Sequence, residues 1–404
     1  MNFRKFVGSE RPSLGVELEL QLVDARNLAL AGAAEKVLTG VPAELEGSVK
    51  PEFHDCCVEV ISGVCRDVAE VEQDLGSKVA AVARIAAEHG LLLGWGGTHP
   101  FSHWRDQPIF PTPRYRELVD EYRETLTRQL TFGLHVHVGV PGGGAAVCAC
   151  NRIAEHLPAL LALSANSPFW CGRATGLHSQ RVEVMGSSPT GGLPPRLDGW
   201  GDYVRLVERL ISGGLIRTPK ELYWDVRPSP EHGTVEVRMC DMPPDLPSVL
   251  GLAALIQCLV VELARRGGPP GLDECGMMIV RQNRWRAARH GLDAEIVDPR
   301  TGRGLPAREV IQRHVSRLRP IAGDLGCSRQ LDRAWAMAGG AGGAGQQLAV
   351  FERTGDLEAV VRHMTCGAAS ILPEGGNAGG DGSLARIGPW PGVTSSPRFP
   401  VSFN

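Results

Sequence analysis

The sequence predicts an α+β fold in which helices cover the apolar face of an antiparallel sheet. Three segments, residues 14–23, 134–140 and 234–240, alternate apolar with polar side chains, which is typical of strands that bury one face. Helical patterns lie between these strands without a repeated βαβ rhythm. We therefore expect the polar face of the sheet to be available for chemistry.

The remaining elements follow from shorter patterns along the chain. Asp67 is suited to cap a helix whose apolar residues recur on one side until Gly90 ends it. Pro113 is expected to open a helix that continues to about Leu130. Other patterns predict strands at residues 91–97 and 223–227, and helices near residues 145–163, 202–213, 245–266 and 306–318.

The composition is that of an ordinary globular protein without a strong overall charge. The chain has 404 residues, 43% of them hydrophobic and 22% charged, and its formal net charge is -3. Because there is no basic excess, we expect neither a nucleic acid nor a membrane as partner. No apolar signal segment opens the sequence, so we expect a cytoplasmic protein whose 11 cysteines are reduced thiols.

One large domain is the organisation that the sequence favours. We expect residues 1–366 to form a single domain and residues 367–404, which are rich in Gly, Ser and Pro, to form a flexible tail. The longest apolar run, residues 252–264, is too short to span a bilayer and predicts a buried core helix. A homodimer is the common oligomer of such proteins and the one that we expect.

Glu17 and Glu19 project from the same face of one predicted strand, so their carboxylates are near neighbours. Two like charges in an enclosed site repel each other, and a divalent cation removes that conflict. Hard oxygen ligands favour magnesium or manganese over zinc. The alternative is a solvated sheet face, on which glutamate is common.

Two further strands carry residue pairs that are suited to the same chemistry. His135 and His137 share one face, either as a metal site or as hydrogen-bonded structural histidines. Glu236 and Arg238 are either a metal ligand beside a phosphate contact or a simple ion pair. Because no P-loop motif is present, the phosphates of a bound ATP would be held through metal–carboxylate bridges and arginines.

Glu52 and Glu59 form a second acidic pair. Glu59 lies between two valines and is expected in a strand, but the separation of the two glutamates is odd. One regular strand cannot aim both side chains at the same face, so a bend must follow Glu52. Taken alone, Glu52 is expected at the surface.

Several motifs, in a fixed order along the chain, resemble those of a known family. They are GVELE at residues 15–19, GTHPF at 97–101 with Trp104, GLHVHVG at 133–139, SANSPFW at 164–170, YWDVRPSP at 223–230, EVR at 236–238 and TGRGLPARE at 301–309. The ordered set resembles the type 2 carboxylate–amine ligases, which are relatives of glutamate–cysteine ligase. The resemblance covers residues 13–365 and makes the expected domain a ligase domain.

The resemblance implies a funnel-shaped antiparallel sheet, similar to that of glutamine synthetase and the guanido kinases, that binds ATP and Mg²⁺ or Mn²⁺. The metal ligands that it implies are Glu17, Glu19, Glu52, Glu59, His135 and Glu236. Arg238 and His137 are the implied catalytic residues, and Arg227 joins Arg238 as a nucleotide contact. Candidates for the substrate pocket are Trp104, Asn166, Trp170, Arg181 and Trp224, although the tryptophans are equally suited to the core.

The activity that the resemblance implies is ATP-dependent joining of an acid to an amine through an acyl phosphate. The small-molecule partners would be glutamate or a glutamate-like acid and an amine, with cysteine as one candidate. The family often has an acid where this chain has Leu18, and the segment around Arg181 also differs, so the substrates are open. Two alternatives remain: a metal-dependent amidohydrolase built on His135 and His137, or a relative that binds ligands without turnover.

Overall fold

The predicted antiparallel sheet is present in the computed structural model, which describes residues 3–265 and 271–367. In chain order the strands are β1 (Leu14–Asp24), β2 (Val49–Pro51), β3 (Cys57–Ile61), β4 (Leu91–Gly94), β5 (Gly133–Gly139), β6 (Phe169–Trp170), β7 (Arg173–Ala174), β8 (Val226–Ser229), β9 (Thr234–Asp241), β10 (Glu295–Val297) and β11 (Gly304–Pro306). A seven-stranded sheet has the order β2-β3-β1-β5-β9-β8, with β4 also paired to β1. All of its pairings are antiparallel, which confirms the predicted fold class.

Strand β1 is the centre of the sheet because it pairs with three other strands. β3 lies along one edge of β1, whereas β5 and β4 follow one another along the opposite edge. The predicted alternation is kept: Leu14, Val16 and Leu18 are buried on one side, and Glu17 and Glu19 lie on the other. The long strand therefore fixes which side chains reach the polar face.

Helices cover the apolar face of this sheet. In chain order they are α1 (Ala34–Thr39), α2 (Val68–Glu88), α3 (Pro113–Tyr122), α4 (Glu124–Thr127), α5 (Gly143–Ile153), α6 (Leu157–Ser164), α7 (Gln180–Met185), α8 (Trp200–Ser212), α9 (Leu246–Arg265), α10 (Glu274–His290), α11 (Ala307–Asp324), α12 (Ser328–Gly339), α13 (Gly342–Thr354) and α14 (Leu357–Thr365). α2 packs on β1, β3 and β4, α9 packs on β5, and α5 packs on β8 and β9. As predicted, the Asp67 side chain caps α2 by accepting a hydrogen bond from the N–H of Glu70.

Two of the predicted helices are broken. The helix expected near residues 145–163 is divided into α5 and α6, which are bent by 68°. Pro158 in the first turn of α6 explains the break, because proline cannot donate the N–H that a continuous helix needs. The helix that begins at Pro113 ends before Arg123, whose positive φ of 47° departs from helical geometry.

The strand predicted at residues 223–227 begins later, as β8. The preceding residues pair with a loop instead: Trp224 forms a bridge with Gly192, and the N–H of Asp225 donates to the Gly192 carbonyl. Because these backbone groups are already paired with the loop, β8 joins β9 only from Val226 onward.

The predicted core helix is confirmed as α9. Its stretch Leu246–Ala264 is long and apolar enough to cross a membrane by length and composition alone, but almost all of it is buried inside the fold. The bent pair of α5 and α6 passes the same test only when it is counted as one span. The single-domain organisation stays a prediction, and the proposed tail lies, after Gly367, outside the described residues.

His99 is a buried histidine with a defined set of partners. Its Nε2 lies 3.0 Å from the carbonyl oxygen of Leu28, and its Nδ1 lies 3.0 Å from the backbone N–H of Ser102. These partners suit the neutral ring, in which Nε2 donates and Nδ1 accepts. Burial lowers the pKa of His99 to about 3. The unfolded chain, with a histidine pKa of about 6.5, therefore binds a proton between these values that the folded protein does not.

This difference predicts that His99 contributes to acid destabilisation as the pH falls below about 6.5. We expect His99→Gln to reduce the slope of unfolding free energy against pH by up to about 1.4 kcal/mol per pH unit between pH 6 and 4. Urea unfolding at several pH values measures this slope, and His89→Gln, at the exposed end of α2, is the matched control. A slope unchanged in His99→Gln would show that the folded protein protonates this ring.

Candidate functional site

The strand register gathers the predicted carboxylates and histidines on the polar face of the sheet. Residues that lie directly opposite one another on antiparallel strands have neighbouring Cβ atoms, so their side chains meet. The directly opposite pairs are Glu17 with His135, Glu19 with Glu59, and His137 with Glu236. Four strands, β3, β1, β5 and β9, thus contribute to one surface.

The first group of candidate metal ligands consists of Glu17, Glu59 and His135. One ligand atom from each lies within 4.8 Å of the others. The Nδ1 atom of His135 is 2.9 Å from Oε2 of Glu17, and its Nε2 atom is 3.6 Å from Oε1 of Glu19. Glu19 in turn accepts a hydrogen bond from the N–H of Gly133, which holds it beside this group.

The second group consists of Glu17, His137 and Glu236, again with ligand atoms within 4.8 Å of one another. The Nε2 atom of His137 lies 3.4 Å from Oε1 of Glu17 and 3.8 Å from Oε1 of Glu236. Its Nδ1 atom lies 2.9 Å from Oγ1 of Thr234. Glu17 belongs to both groups, so the two candidate sites are joined by one carboxylate.

Glu59, which belongs to the first group, and the nearby Glu52 have raised pKa values. Burial raises the pKa of Glu52 to about 7, and the nearby charge of Glu19 adds to the effect. Burial and the charge of Glu17 raise the pKa of Glu59 well above its usual range. Although Glu52 alone was expected at the surface, it is half-buried and accepts a hydrogen bond of 2.8 Å from the N–H of Phe53.

Glu17 and Glu236, in contrast, are held in the ionised form. Burial alone would raise the pKa of Glu17, but hydrogen bonds from His135 and His137 outweigh it and hold the pKa well below its usual range. Burial also opposes ionisation of Glu236, yet the charges of Arg227 and Arg238 keep its pKa well below the usual range. The site therefore combines two firmly charged carboxylates with two that retain protons readily.

This donor set fits a hard divalent cation. Each group offers two carboxylates and one imidazole, and oxygen-rich sites suit Mg²⁺ or Mn²⁺ better than zinc. A cation would also relieve the repulsion that, in addition to burial, raises the pKa of Glu52 and Glu59. The residues suited to hold it are Glu17, Glu59 and His135 in one group and Glu17, His137 and Glu236 in the other, with Glu19 and Glu52 beside them.

The two arginines predicted as nucleotide contacts differ in their surroundings. Arg238 donates from Nη1 to Oε1 of Glu236 at the edge of the second group. Arg227 also pairs with Glu236, but its Nη1 is bound to the carbonyl oxygens of Lys220 and Leu222. The guanidinium of Arg227 is thus occupied by contacts within the protein, and nucleotide binding by this residue stays a prediction.

Asn166 and Arg181 were expected in the substrate pocket, and their polar groups form hydrogen bonds inside the protein. The Nδ2 atom of Asn166 donates to the carbonyl of Met242 over 2.8 Å, and its Oδ1 accepts from Gln347 over 2.7 Å. Arg181 is 3% exposed and donates to the carbonyls of Arg238 and Met239 on β9. Asn166 thus braces the interior and Arg181 supports the strand that carries Glu236, while a substrate contact of either residue stays a prediction.

The three predicted pocket tryptophans are buried. Trp104 and Trp170 belong to the main hydrophobic core, and Trp224 packs in a smaller cluster with Tyr203 and Val207. The guanidinium of Arg105 lies 4.6 Å from the ring centroid of Trp104. These positions agree with the alternative that the tryptophans are core residues, and a substrate contact stays a prediction.

Sequence reasoning missed two residues that orient the site. Thr234 holds His137 through the contact between Oγ1 and Nδ1, and Gly133 provides the N–H that Glu19 accepts. Thr234 precedes Glu236 by two positions on the same strand, so alternation could have placed it on the polar face. The role of Gly133 is a backbone contact, for which the residue type gives no signal.

Comparison with known proteins identifies the family of the chain. The profile of a family described as glutamate–cysteine ligase family 2 matches residues 13–363 of the chain. A protein of Gloeobacter violaceus is 40% identical over 370 residues, covering 90% of this chain and 99% of that protein. A protein of Rubrobacter xylanophilus is 42% identical over 361 residues, covering 89% of this chain and 98% of its own. Both carry provisional names as type 2 glutamate–cysteine ligases.

Solved structures share the fold at low sequence identity. Glutamate–cysteine ligase from Francisella tularensis, in complex with AMP, has a TM-score of 0.68 and 12% identity over 91% of this chain and 90% of that chain. A bifunctional glutathione synthetase from Pasteurella multocida has a TM-score of 0.66 and 16% identity over 90% of this chain and 53% of its own. The family match and the two close relatives confirm the ligase resemblance predicted from the motifs: this chain belongs to family 2 of the glutamate–cysteine ligases.

Proposed function

We propose that this protein is an ATP-dependent ligase that joins glutamate, or a glutamate-like acid, to an amine. The observation that carries the proposal is the pair of oxygen-rich ligand groups that share Glu17 on the polar face of the sheet. Arg238, beside the second group, adds a cationic fork that is suited to phosphoryl oxygens. Together these features suit a triphosphate better than they suit an uncharged ligand.

Divalent cations held by Glu17, Glu59 and His135 and by Glu17, His137 and Glu236 would shield the negative charge that repels an attacking carboxylate. The work of the protein is to hold that arrangement in place. Glu17 stays ionised because His135 and His137 hydrogen-bond to it. His137 is fixed in turn by Thr234, so its Nε2 points between Glu17 and Glu236.

The proposed reaction has two steps. A carboxylate oxygen of the acid attacks the γ-phosphorus of ATP, and the bond from this phosphorus to the oxygen that bridges to the β-phosphate breaks. ADP departs, and the acid is converted to an acyl phosphate. The amine nitrogen then attacks the acyl carbon, phosphate leaves, and the nitrogen gives up a proton to the phosphate or to a carboxylate of the site. Arg238 would stabilise the transferred phosphoryl group while its charge is redistributed.

The names of the relatives favour glutamate and cysteine as the two substrates. The departures in this chain lie beside the ligands: Cys56 and Cys57 precede Glu59, and the segment around Arg181 differs from the family pattern. Cys57 precedes Glu59 by two positions on β3 and so shares its face of the sheet, where it can alter which acid and amine are accepted. The amine is therefore best identified with a panel rather than with cysteine alone.

The donor set also argues against the amidohydrolase alternative. Zinc hydrolases commonly use several nitrogen or sulfur ligands and an open coordination position. Here carboxylates outnumber imidazoles in both groups, and each histidine already contacts a carboxylate. The retention of both complete groups likewise favours turnover over ligand binding alone.

The proposal predicts that the protein releases ADP only when ATP, a divalent cation, an acid and an amine are all present. Coupled detection of ADP with glutamate and a panel of amines measures this dependence, and mass spectrometry identifies the amide. Omitting the amine is the control for uncoupled ATP hydrolysis. Cleavage of an amide without nucleotide, or nucleotide binding without any product across the panel, would contradict the proposal.

Glu17→Gln is expected to lower turnover by more than about a hundredfold, because it removes a charged ligand from both groups at once. The substitution keeps the size of the side chain but gives up the hydrogen bonds that His135 and His137 make to the charged carboxylate, so the thermal unfolding midpoint should fall modestly while the protein stays folded. Steady-state kinetics and thermal unfolding test both expectations, with Glu88→Gln on the exposed end of α2 as the matched control. Turnover close to that of the unmodified protein would remove Glu17 from the site.

A further inference from the structure

Arg227 grips both oxygens of Glu236 across two neighbouring strands. The two residues are directly opposite partners in the pairing of β8 with β9. The Nε atom of Arg227 donates to Oε2 over 2.7 Å, and Nη2 donates to Oε1 over 3.2 Å. The side chains are 12% and 2% exposed, so this bidentate pair is largely shielded from water. Such a fork fixes the plane of a carboxylate as well as its position.

The remaining nitrogen of Arg227 is fixed by the backbone. Nη1 donates to the carbonyl oxygens of Lys220 and Leu222, each over 2.8 Å. Both carbonyls belong to the segment that leads into β8, where Glu221 is itself buried and its backbone carbonyl accepts from Thr190. The guanidinium therefore has partners on three sides, and a phosphate could bind it only by displacing several hydrogen bonds.

Glu236 retains the capacity to bind a cation in this arrangement. A carboxylate offers about four lone-pair positions. Oε1 accepts from Nη2 of Arg227 and from Nη1 of Arg238, whereas Oε2 accepts only from Nε of Arg227, so a lone pair of Oε2 stays open. The carboxylate as a whole lies beside His137, with Oε1 at 3.8 Å from Nε2. The grip of Arg227 thus turns Glu236 toward the group that it forms with Glu17 and His137.

We propose that Arg227 is a positioning residue, which orients Glu236 for the divalent cation and does not contact the nucleotide. The inference rests on the proposed function, since it takes Glu236 as a cation ligand. Outer partners of ligating carboxylates hold the ligand in its binding orientation, and their loss commonly weakens metal affinity by about ten- to a hundredfold. Arg227 and Arg238 then have separate tasks at the same carboxylate: Arg227 holds it, and Arg238 serves phosphate.

The test is equilibrium binding of Mn²⁺ to the intact protein, in which electron paramagnetic resonance measures the concentration of free Mn²⁺. We expect Arg227→Gln to weaken binding at one class of Mn²⁺ sites by about ten- to a hundredfold, and Arg227→Lys, which keeps the charge but loses the fork, to weaken it less. With Mg²⁺ saturating, the affinity of either variant for ADP should stay within about twofold of the original. If the Gln variant fails to fold, the Lys variant carries the test.

Arg284 provides a matched control outside the ligand groups. Its Nε donates to Oδ2 of Asp225 over 2.7 Å, and the two side chains are 13% and 6% exposed, much like the pair under test. Arg284→Gln should therefore cost a comparable amount of thermal stability but leave Mn²⁺ affinity unchanged. If Arg227→Gln and Arg284→Gln lost Mn²⁺ affinity equally, general destabilisation of the protein would explain the loss, and the proposal would be overturned.

Two other results would also overturn it. Unchanged Mn²⁺ binding in Arg227→Gln with a large loss of ADP affinity would show that Arg227 contacts the nucleotide. Absence of Mn²⁺ binding in the original protein would show that Glu236 has no cation to bind. The result of the Mn²⁺ binding test does not depend on whether the proposed ligase reaction takes place. Mn²⁺ binding that depends on Arg227 would stand even if no acid and amine pair gave an amide.

Discussion

Repulsion among carboxylates gathered on one partly buried surface is the constraint on which the site depends. Burying several anions side by side costs free energy unless cations, protons or hydrogen bonds offset the charge. The chain offsets it unevenly: imidazoles and guanidiniums hold Glu17 and Glu236 ionised, whereas Glu52 and Glu59 have raised pKa values. A divalent cation would be drawn to this surface because it removes the remaining repulsion.

Such a surface needs a support that cannot relax to separate the charges. The opposite face of β1 supplies it, since Leu14, Val16, Leu18 and Leu20 are almost fully buried beneath the helices. A shift of β1 by one residue would carry these side chains into water and the glutamates into the core, so the register is strongly specified. This arrangement also explains why an apolar residue at position 18 leaves the ligand set intact: it belongs to the core side of the strand.

The parts of this arrangement that sequence could predict are those governed by local periodicity. Alternation placed Glu17, Glu19, His135 and Glu236 on polar faces, and antiparallel pairing then brought those faces together. Local patterns did not reveal that Pro158 divides a helix, although proline is a recognised breaker, because the apolar residues continue on both sides of it. Helices α12 to α14 were also not anticipated.

Functions assigned to single polar residues were less predictable, because their partners are remote in sequence. Asn166 is held by the carbonyls of Trp95 and Met242, which are 71 and 76 positions away. An asparagine that contacts a substrate and an asparagine that braces the core have the same sequence pattern. Only the three-dimensional contacts distinguish a side chain that faces a ligand from one that supports the strands beside it.

The sharing of Glu17 by both ligand groups has a consequence for the kind of substrate that fits. Its two oxygens serve different groups, with Oε2 beside His135 and Oε1 beside His137. The two ligand groups are therefore neighbours that meet at one carboxylate. Closely spaced cations suit a ligand whose negative oxygens are also closely spaced, as they are along a chain of phosphates. The antiparallel register of β1 and β5 therefore fixes the spacing between the ligand groups that a triphosphate would meet. In this way the alternation in the sequence is linked to the proposed preference for ATP over an isolated carboxylate or amide.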